Sequence, residues 1–439
     1  MSRNEELSDL DHDVVVLGAG VAGIYTIKRL TDAGFDSIVL ERDDDVGGTW
    51  YRNRYPGARF DSESYTYGYS WSPELLEEWH WKERFSGQPE NLRYLRHVVE
   101  RFDLRRFMRF DASVESMGWE EDSLRWRLVL ADGDEITARF VVTGIGLLSV
   151  PTMPNIDGME TFAGEAYHTY HWPGDGLDLS GLRVGVIGTG ATGIQVISAI
   201  ADDVAELHVF QRRPNWSAPL NNSPITDEEM ADIRSRYDEI FANCARTASG
   251  FEHTPDRRGF WNVTAEERRQ LWDELYDGPG FGILVGNFPE IFWDEEANAE
   301  FSAYIAERIR GRVHDPVVAE KLIPKDHGFG VQRVPLETKY FEAYDLDHVH
   351  LVDLLETPIE RITPRGIETS DGTVVDLDVI IYATGFDAVT GAFDRIDIAG
   401  VGGEELRTRW ADGPSTYLGV SMHGFPNLLM VAGPRARRR

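Results

Sequence analysis

The chain has 439 residues, 42% of them hydrophobic and 27% charged, a globular composition with length for two or three domains. The net charge is −31, and only five of the 44 basic residues are lysines (Lys28, Lys82, Lys321, Lys325, Lys339), so a generic nucleic-acid binder is excluded. No apolar run reaches the roughly 18 residues of a membrane span, the stretch 1–13 is polar rather than signal-like, and the single Cys244 excludes an internal disulfide and a cysteine metal site. No metal is expected, and the cysteine usage fits a reducing cytoplasm. The acid-rich, lysine-poor balance fits equally a high-salt cytoplasm and a GC-rich mesophilic genome.

In chain order, residues 13–17 read as a buried strand, 21–33 as a helix and 36–41 as a second strand. The turn between the first two is Gly18-Ala19-Gly20-Val21-Ala22-Gly23. In such a turn the first glycine permits the tight bend, the second lets the backbone approach a pyrophosphate, and the third lets helix and strand pack closely. The phosphates rest on the helix N-terminus. Glu41 stands at the end of the second strand, where an acid would bind a ribose hydroxyl. Residues 46–81 are rich in Gly, Tyr and Trp without a clean period, and read as a long structured loop over a ligand. Residues 140–150 form an apolar strand, and Pro151, Pro154 and Gly158 mark a crossing between domains.

A second unit follows: strand 182–187, helix 191–201 and strand 206–211, with the turn Gly188-Thr189-Gly190-Ala191-Thr192-Gly193. Residues 222–320 are mostly polar with helical period, as in 226–242 and 300–312, and read as a helical insertion. Strand 374–384 runs into Ala383-Thr384-Gly385, and apolar strand character returns over 418–432. The fold expected is α/β with two Rossmann-like dinucleotide-binding domains: 1–150 and a return segment 375–439 for one, 151–374 for the other. Two such turns in one chain point to two dinucleotides, a flavin beside a nicotinamide, because hydride can pass between them. After the second unit's last strand comes Gln211-Arg212-Arg213-Pro214. Arginine there suits a 2′-phosphate, so NADPH is expected over NADH.

Two further patterns narrow the chemistry. Phe162-Ala163-Gly164-Glu165-Ala166-Tyr167-His168-Thr169-Tyr170-His171-Trp172-Pro173 matches F-x-G-x-x-x-H-x-x-x-W-P. Gly47-Gly48-Thr49-Trp50 precedes Tyr55-Pro56-Gly57-Ala58-Arg59-Phe60-Asp61, which matches G-G-x-W…Y-P-G-x-x-x-D. On both patterns the chain resembles the Baeyer–Villiger monooxygenases over nearly its whole length. The resemblance implies FAD and NADPH as cofactors, a ketone and O2 as substrates, and an ester or lactone as product, formed through a C4a-peroxyflavin. It maps the catalytic arginine onto Arg333 in Gly330-Val331-Gln332-Arg333, and the acid that orients it onto Asp61. FAD would contact Gly18, Gly20, Gly23, Glu41, Gly48, Thr49, Trp50 and Asp61. NADPH would contact Gly188, Thr189, Gly190, Thr192, Gly193, Arg212, Arg213 and Gln332.

Gln332 replaces the family's helper lysine, which would blunt the preference for NADPH. Phe162, Gly164, His168, Trp172 and Pro173 are expected to shape the hinge, with His168 structural rather than proton-carrying. Relatives continue well past the strand matching 428–433, whereas this sequence turns to Arg435-Ala436-Arg437-Arg438-Arg439. The resemblance therefore also implies looser FAD binding and NADPH oxidation uncoupled toward peroxide. Two rival functions stand beside the leading one: a sulfide or amine oxygenase, and an inactive nucleotide-binding remnant.

Overall fold

The structure, a computed structural model, describes residues 10–174 and 176–435. The stretch before residue 10 and the end of the arginine-rich run, 436–439, lie outside the described residues. The chain divides into two compact units, one of residues 10–52, 91–152 and 386–435, the other of 53–90 and 153–385.

In the first unit, strand His12–Leu17 pairs in parallel with Ser37–Leu40 on one side and Glu135–Thr143 on the other. Val14 to Leu17 are all buried, as an apolar run with no polar alternation requires of a central strand. Helix Val21–Asp32 connects the first two strands. An antiparallel meander of Val114–Glu120, Arg125–Leu130 and Glu135–Thr143 extends the sheet, and the short strands Met108–Arg109, Asp397–Ala399 and Leu428–Met430 bring it to eight. The alternation in Arg125–Leu130 turns Trp126, Leu128 and Leu130 inward, the period-2 signature of a half-buried strand.

The second unit holds a five-stranded parallel sheet, in the order Val349–Asp353, Glu206–Gln211, Arg183–Ile187, Val379–Tyr382, Glu165–His168. Helix Ala191–Ile200 follows its third member in that order, Arg183–Ile187. Both sheets carry the strand–turn–helix–strand arrangement of a Rossmann unit, so the molecule is α/β with two of them. Between 222 and 321 the chain is helical, including Asp227–Ser235, Tyr237–Arg246, Ala265–Asp277 and Glu295–Arg310. Capping boxes at Thr226/Glu229 and Thr264/Glu267 start two of these helices, each satisfying backbone donors at the exposed N-terminus.

Several elements differ from the sequence reading. The strand expected over 374–384 is two strands. Val374–Asp376 belongs to a three-stranded antiparallel sheet and Val379–Tyr382 to the parallel one. The break falls at Asp378, whose carboxylate accepts from the Arg183 backbone N–H and guanidinium at 2.8–3.1 Å. Because Val379–Tyr382 lies between Arg183–Ile187 and Glu165–His168, the chain returns to the first unit at Phe386 rather than at 375. Residues 53–90, expected with the first unit, group with the second. The strand of 140–150 is shifted to Glu135–Thr143, and 144–150 is irregular. The helix of 226–242 is broken at Arg236, where φ is −112°. Only Leu428–Met430 of 418–432 is a strand, since Leu418, Asn427 and Ala432 adopt positive φ.

Candidate functional sites

In the first unit the turn Gly18–Gly23 is built by contacts no other residue permits. Gly18 has φ +96°, and a Cβ there would stand 2.7 Å from the Gly144 carbonyl oxygen. A Cβ on Gly23 would stand 1.8 Å from the Gly18 carbonyl oxygen, so helix Val21–Asp32 starts directly against the strand end. Gly20 behaves differently. A Cβ there would meet only Gly48 Cα at 3.5 Å, an ordinary contact. The segment Gly47–Trp50 is tied to this turn, since Gly47 N–H donates to the Ala19 carbonyl at 3.0 Å, and Thr49 and Trp50 open a short helix, Thr49–Arg52. Trp50 is buried, and Glu41 is only 5% exposed. The Glu41 carboxylate accepts from Ala19 N–H at 2.6 Å and Asp43 N–H at 3.0 Å. Burial raises its pKa above the usual carboxylate range, against those two hydrogen bonds. Glu41 thus braces the turn from beneath.

In the second unit the same geometry recurs. Gly188 has φ +108°, with a Cβ 2.6 Å from the Ala383 carbonyl oxygen, and a Cβ on Gly193 would stand 2.1 Å from the Gly188 oxygen. Around Gly190 nothing lies within 4 Å of a Cβ, so the backbone there is open to a bound group. Thr189 is buried, and its hydroxyl donates to the Arg213 carbonyl at 2.9 Å, which holds the segment after the last strand against the turn. Thr192 is half-buried in the helix's first turn. Arg212 and Arg213 are exposed, and Arg213 lies 3.7 Å from Asp326. Asn215 Nδ2 donates to the Arg333 carbonyl at 3.3 Å, which brings the segment of Arg212 and Arg213 close to that of Gln332 and Arg333.

The structure also brings together Asp61 and Arg333, 272 residues apart, with Arg333 Nη2 donating to Asp61 Oδ2 at 2.9 Å. The Asp61 side chain is 3% exposed and the Arg333 side chain 59%. The acid is therefore fixed and the cation reaches into open space. Leu336 N–H also donates to Asp61 Oδ2, at 3.3 Å. Burial raises the Asp61 pKa, and Arg333 and the Leu336 N–H oppose that rise.

The segment Tyr55–Asp61 is seated on helix Ala191–Ile200. Gly57 has φ +80°, and a Cβ there would stand 2.5 Å from the Gln195 carbonyl oxygen. Gln195 Nε2 donates to the Arg59 carbonyl at 3.0 Å, and the Tyr55 hydroxyl donates to Gln195 Oε1 at 2.9 Å. Burial pushes the Tyr55 pKa up to about 12, so its hydroxyl keeps its proton; Thr192, in the turn itself, is among its hydrogen-bond partners. Gln195 was not anticipated from the sequence. Its position one helical turn past the second Gly-rich turn is the signal that could have found it.

The residues around His168 form a structural knot. Gly164 is required because a Cβ would stand 2.3 Å from the Asp378 carbonyl oxygen and 2.7 Å from Phe162 Cζ. Phe162 packs against Ile362, Ile367, Ile380 and their neighbours. His168 Nδ1 accepts from Tyr170 N–H at 3.1 Å, so its proton is on Nε2, which donates to the Gly385 carbonyl at 3.1 Å. Burial lowers its pKa, against that second hydrogen bond. Trp172 is buried with its ring 6.1 Å from Tyr167, and Pro173 is half-buried after it. Among the described residues no group of three or more His, Cys, Asp or Glu side chains could hold a metal ion, and no helix is long and apolar enough to cross a membrane.

Residues 15–256 match the family model described as pyridine nucleotide-disulphide oxidoreductase. The chain is 48% identical over 428 residues to 2-oxo-Delta(3)-4,5,5-trimethylcyclopentenylacetyl-CoA monooxygenase of Pseudomonas putida, covering 96% of this chain and 78% of that protein. It is 45% identical over 425 residues to acetone monooxygenase (methyl acetate-forming) of Gordonia sp. (strain TY-5), covering 97% and 79%. Turning acetone into methyl acetate inserts one oxygen between a carbonyl and its neighbouring carbon, which is the Baeyer–Villiger reaction. The chain belongs to the Baeyer–Villiger monooxygenases. The crystal structure of OTEMO in complex with FAD and NADP superposes with a TM-score of 0.94 at 47% identity, covering 97% of this chain and 80% of that one. Two dinucleotide cradles fit the two cofactors of this family, with Gly190 open where a pyrophosphate would lie and Gly20 lined only by another glycine.

Proposed function

We infer that this chain inserts one oxygen atom of O2 beside a ketone carbonyl, giving an ester or lactone, with FAD and NADPH as cofactors. The observation that carries the reading is the Asp61–Arg333 pair, a buried acid holding an exposed guanidinium beside the second Gly-rich turn. FAD binds at Gly18, Gly20 and Gly23, with Gly48, Thr49 and Trp50 beside it. NADPH binds at Gly188, Gly190 and Gly193, with Arg212 and Arg213 toward its 2′-phosphate. Bound FAD would supply the redox chemistry, accepting hydride from NADPH and passing electrons to O2.

The chain's own residues do the rest. Arg333 supplies a fixed cation where negative charge develops on oxygen, the type of term that dominates many enzyme rate enhancements. Asp61 orients Arg333 without neutralising the face turned to the reactants. His168, with both nitrogens engaged, shapes the backbone and moves no proton. The relatives named above act on ketones, and a ketone is the substrate class proposed here. The single Cys244 and the acidic surface fit work in the cytoplasm.

The test is NADPH consumption with and without a panel of ketones, with ester and hydrogen peroxide measured together. Ester formation that depends on the ketone is expected, with peroxide as the competing product. A thioether oxidised in place of every ketone would assign the chain to heteroatom oxidation instead.

A further inference from the structure

Asp61 and Arg333 are each followed closely by a buried carboxylate that their own pairing leaves unexplained. Glu63 lies two residues after Asp61, and its side chain is 3% exposed. Its Oε1 accepts from His253 Nε2 at 2.7 Å, and its Oε2 is buried without a hydrogen-bond partner. The space for it is left by Gly280, where a Cβ would stand 3.0 Å from Glu63 Oε1 and 2.8 Å from Phe85 Cζ. Glu337 lies four residues after Arg333 and its side chain is fully buried. It accepts from Arg312 Nη1 at 2.6 Å, from Arg312 Nη2 at 3.2 Å and from Tyr340 N–H at 2.9 Å. Arg312 is anchored in turn by Glu342 at 2.7–2.8 Å. Both cations, His253 and Arg312, come from the helical insertion.

Resting on the functional reading above, we propose that the helical insertion sets the geometry of the Asp61–Arg333 pair through two clamps on buried carboxylates, His253–Glu63 on the acid's side and Arg312–Glu337 on the cation's side. Each clamp fixes the backbone next to one member. Ser64 beyond Glu63 is fixed by its N–H, which donates to the Arg84 carbonyl at 2.7 Å, and by its hydroxyl, which lies 2.7 Å from the Glu83 carbonyl, and Leu336 before Glu337 supplies the N–H that Asp61 accepts. Glu63, Glu337, His253 and Arg312 are positioning residues.

The two clamps respond differently to pH. Arg312 keeps its charge throughout. His253 titrates, and the charged groups around it are Glu63, Glu252 and Arg84; Tyr65 and Arg236 lie against Glu252, and Cys244 lies near both acids. Burial opposes the imidazolium, but Glu63 and Glu252 outweigh burial and Arg84 and raise its pKa above 6.5. The charged clamp is therefore present at lower pH and is lost as pH rises through that raised value. Above it, one buried carboxylate keeps only a neutral donor.

The experiment follows ester formed per NADPH consumed from acid to alkaline pH in the wild type, Glu63→Gln, His253→Gln and Arg312→Lys. Alongside it, the His253 Cε1–H and Arg333 Nε–H resonances are titrated by NMR. The wild-type ratio is expected to fall severalfold in one alkaline step, as small displacements of catalytic groups cost rate steeply, and the Arg333 signal to shift with the same midpoint. Glu63→Gln should move both midpoints down by about one pH unit, the usual effect of losing an adjacent opposite charge. His253→Gln should abolish the step, and Arg312→Lys should lower the ratio at every pH without moving it. A step and an Arg333 midpoint unchanged in Glu63→Gln and His253→Gln would overturn the clamp. If no variant and no wild-type sample forms ester, the functional reading fails, and the two resonances still decide whether His253 governs Arg333.

Discussion

The two Gly-rich turns share a backbone and differ in the acid beside them. Gly20 and Gly190 cap their helices with nearly identical conformations, φ −78° and −77°. Each unit places a buried carboxylate near its turn, Glu41 in the first and Asp61 in the second. Glu41 closes on two backbone N–H groups and stays inside the scaffold. Asp61 closes on one backbone N–H and on a guanidinium that is mostly exposed. Burial raises both pKa values, so both acids are costly to keep charged. One cost is offset by two backbone hydrogen bonds at a turn, and the other by an ion pair whose cation stays open to solvent. Burial alone does not distinguish the two acids; the exposure of the partner does, and on the function proposed here that difference is what chemistry would use.

The sharpest way to break the contrast is to remove the cation. Arg333→Ala should cut ester formation by about a hundredfold to a thousandfold, the usual cost of deleting a group that stabilises developing oxygen charge. Bound flavin, read by absorbance, should be unaffected. Asp61→Asn should cost less, because Arg333 keeps its charge and loses only its orientation. Ester formed by Arg333→Ala at the wild-type rate would show that the exposed partner is not the functional one.

Next, the two open glycines test whether the turns hold different cofactors. Gly20→Ala should release flavin on gel filtration, and Gly190→Ala should keep flavin while raising the KM for NADPH. Neither should lower the melting temperature of the cofactor-free protein much, since both Cβ positions are free of clashes. Gly23→Ala and Gly193→Ala are the controls, and both should destabilise it strongly because each Cβ meets a carbonyl oxygen within 2.1 Å. Loss of flavin in both Gly20→Ala and Gly190→Ala would merge the two sites into one.

A smaller effect is expected at the exposed rim of the second site. Gln332→Lys should lower the KM for NADPH roughly fivefold, an exposed charge pair being worth about 1 kcal/mol or less, and leave that for NADH unchanged. Equal changes for both cofactors would place residue 332 away from the 2′-phosphate.

The smallest effect concerns His168. Its folded pKa is lowered by burial, so the unfolded chain binds the proton more readily. Stability should be undiminished above the ordinary value of 6.5 and fall as pH drops below it toward the folded value. His168→Gln should flatten that decline in the melting temperature. An unchanged slope would mean that the histidine is not held neutral.

Much of this was legible because the chemistry is local. Gly18, Gly20 and Gly23 declare a turn by spacing alone, and so do Gly188, Gly190 and Gly193. The pairing of Asp61 with Arg333 was legible only through resemblance, since no periodicity links residues 272 apart. The strand break at Asp378 was invisible because it depends on Arg183 in a neighbouring strand. Residues 374–384 read as one strand until that partner is known. Residues 53–90 were misplaced for a similar reason. What fixes Tyr55–Asp61 is the carbonyl of Gln195, a contact that leaves no mark on the segment's own composition except Gly57.

The connectivity of the first unit has a consequence for synthesis. Strand Glu135–Thr143 pairs near its start with Arg125–Leu130, and at its far end with Leu428–Met430. The Trp126 indole donates to the Pro426 carbonyl and Asn427 to that of Arg139. A ribosome delivers the last of these partners just over three hundred residues after the first. The second unit, complete by residue 385, can fold while the first still has two strands with unpaired edge groups, Glu135–Thr143 awaiting Leu428–Met430 and Val114–Glu120 awaiting Asp397–Ala399. Such an edge is a template for wrong pairing. Slow translation or a shortage of chaperones should therefore show first as aggregates seeded by the first unit, with the second already protected from protease.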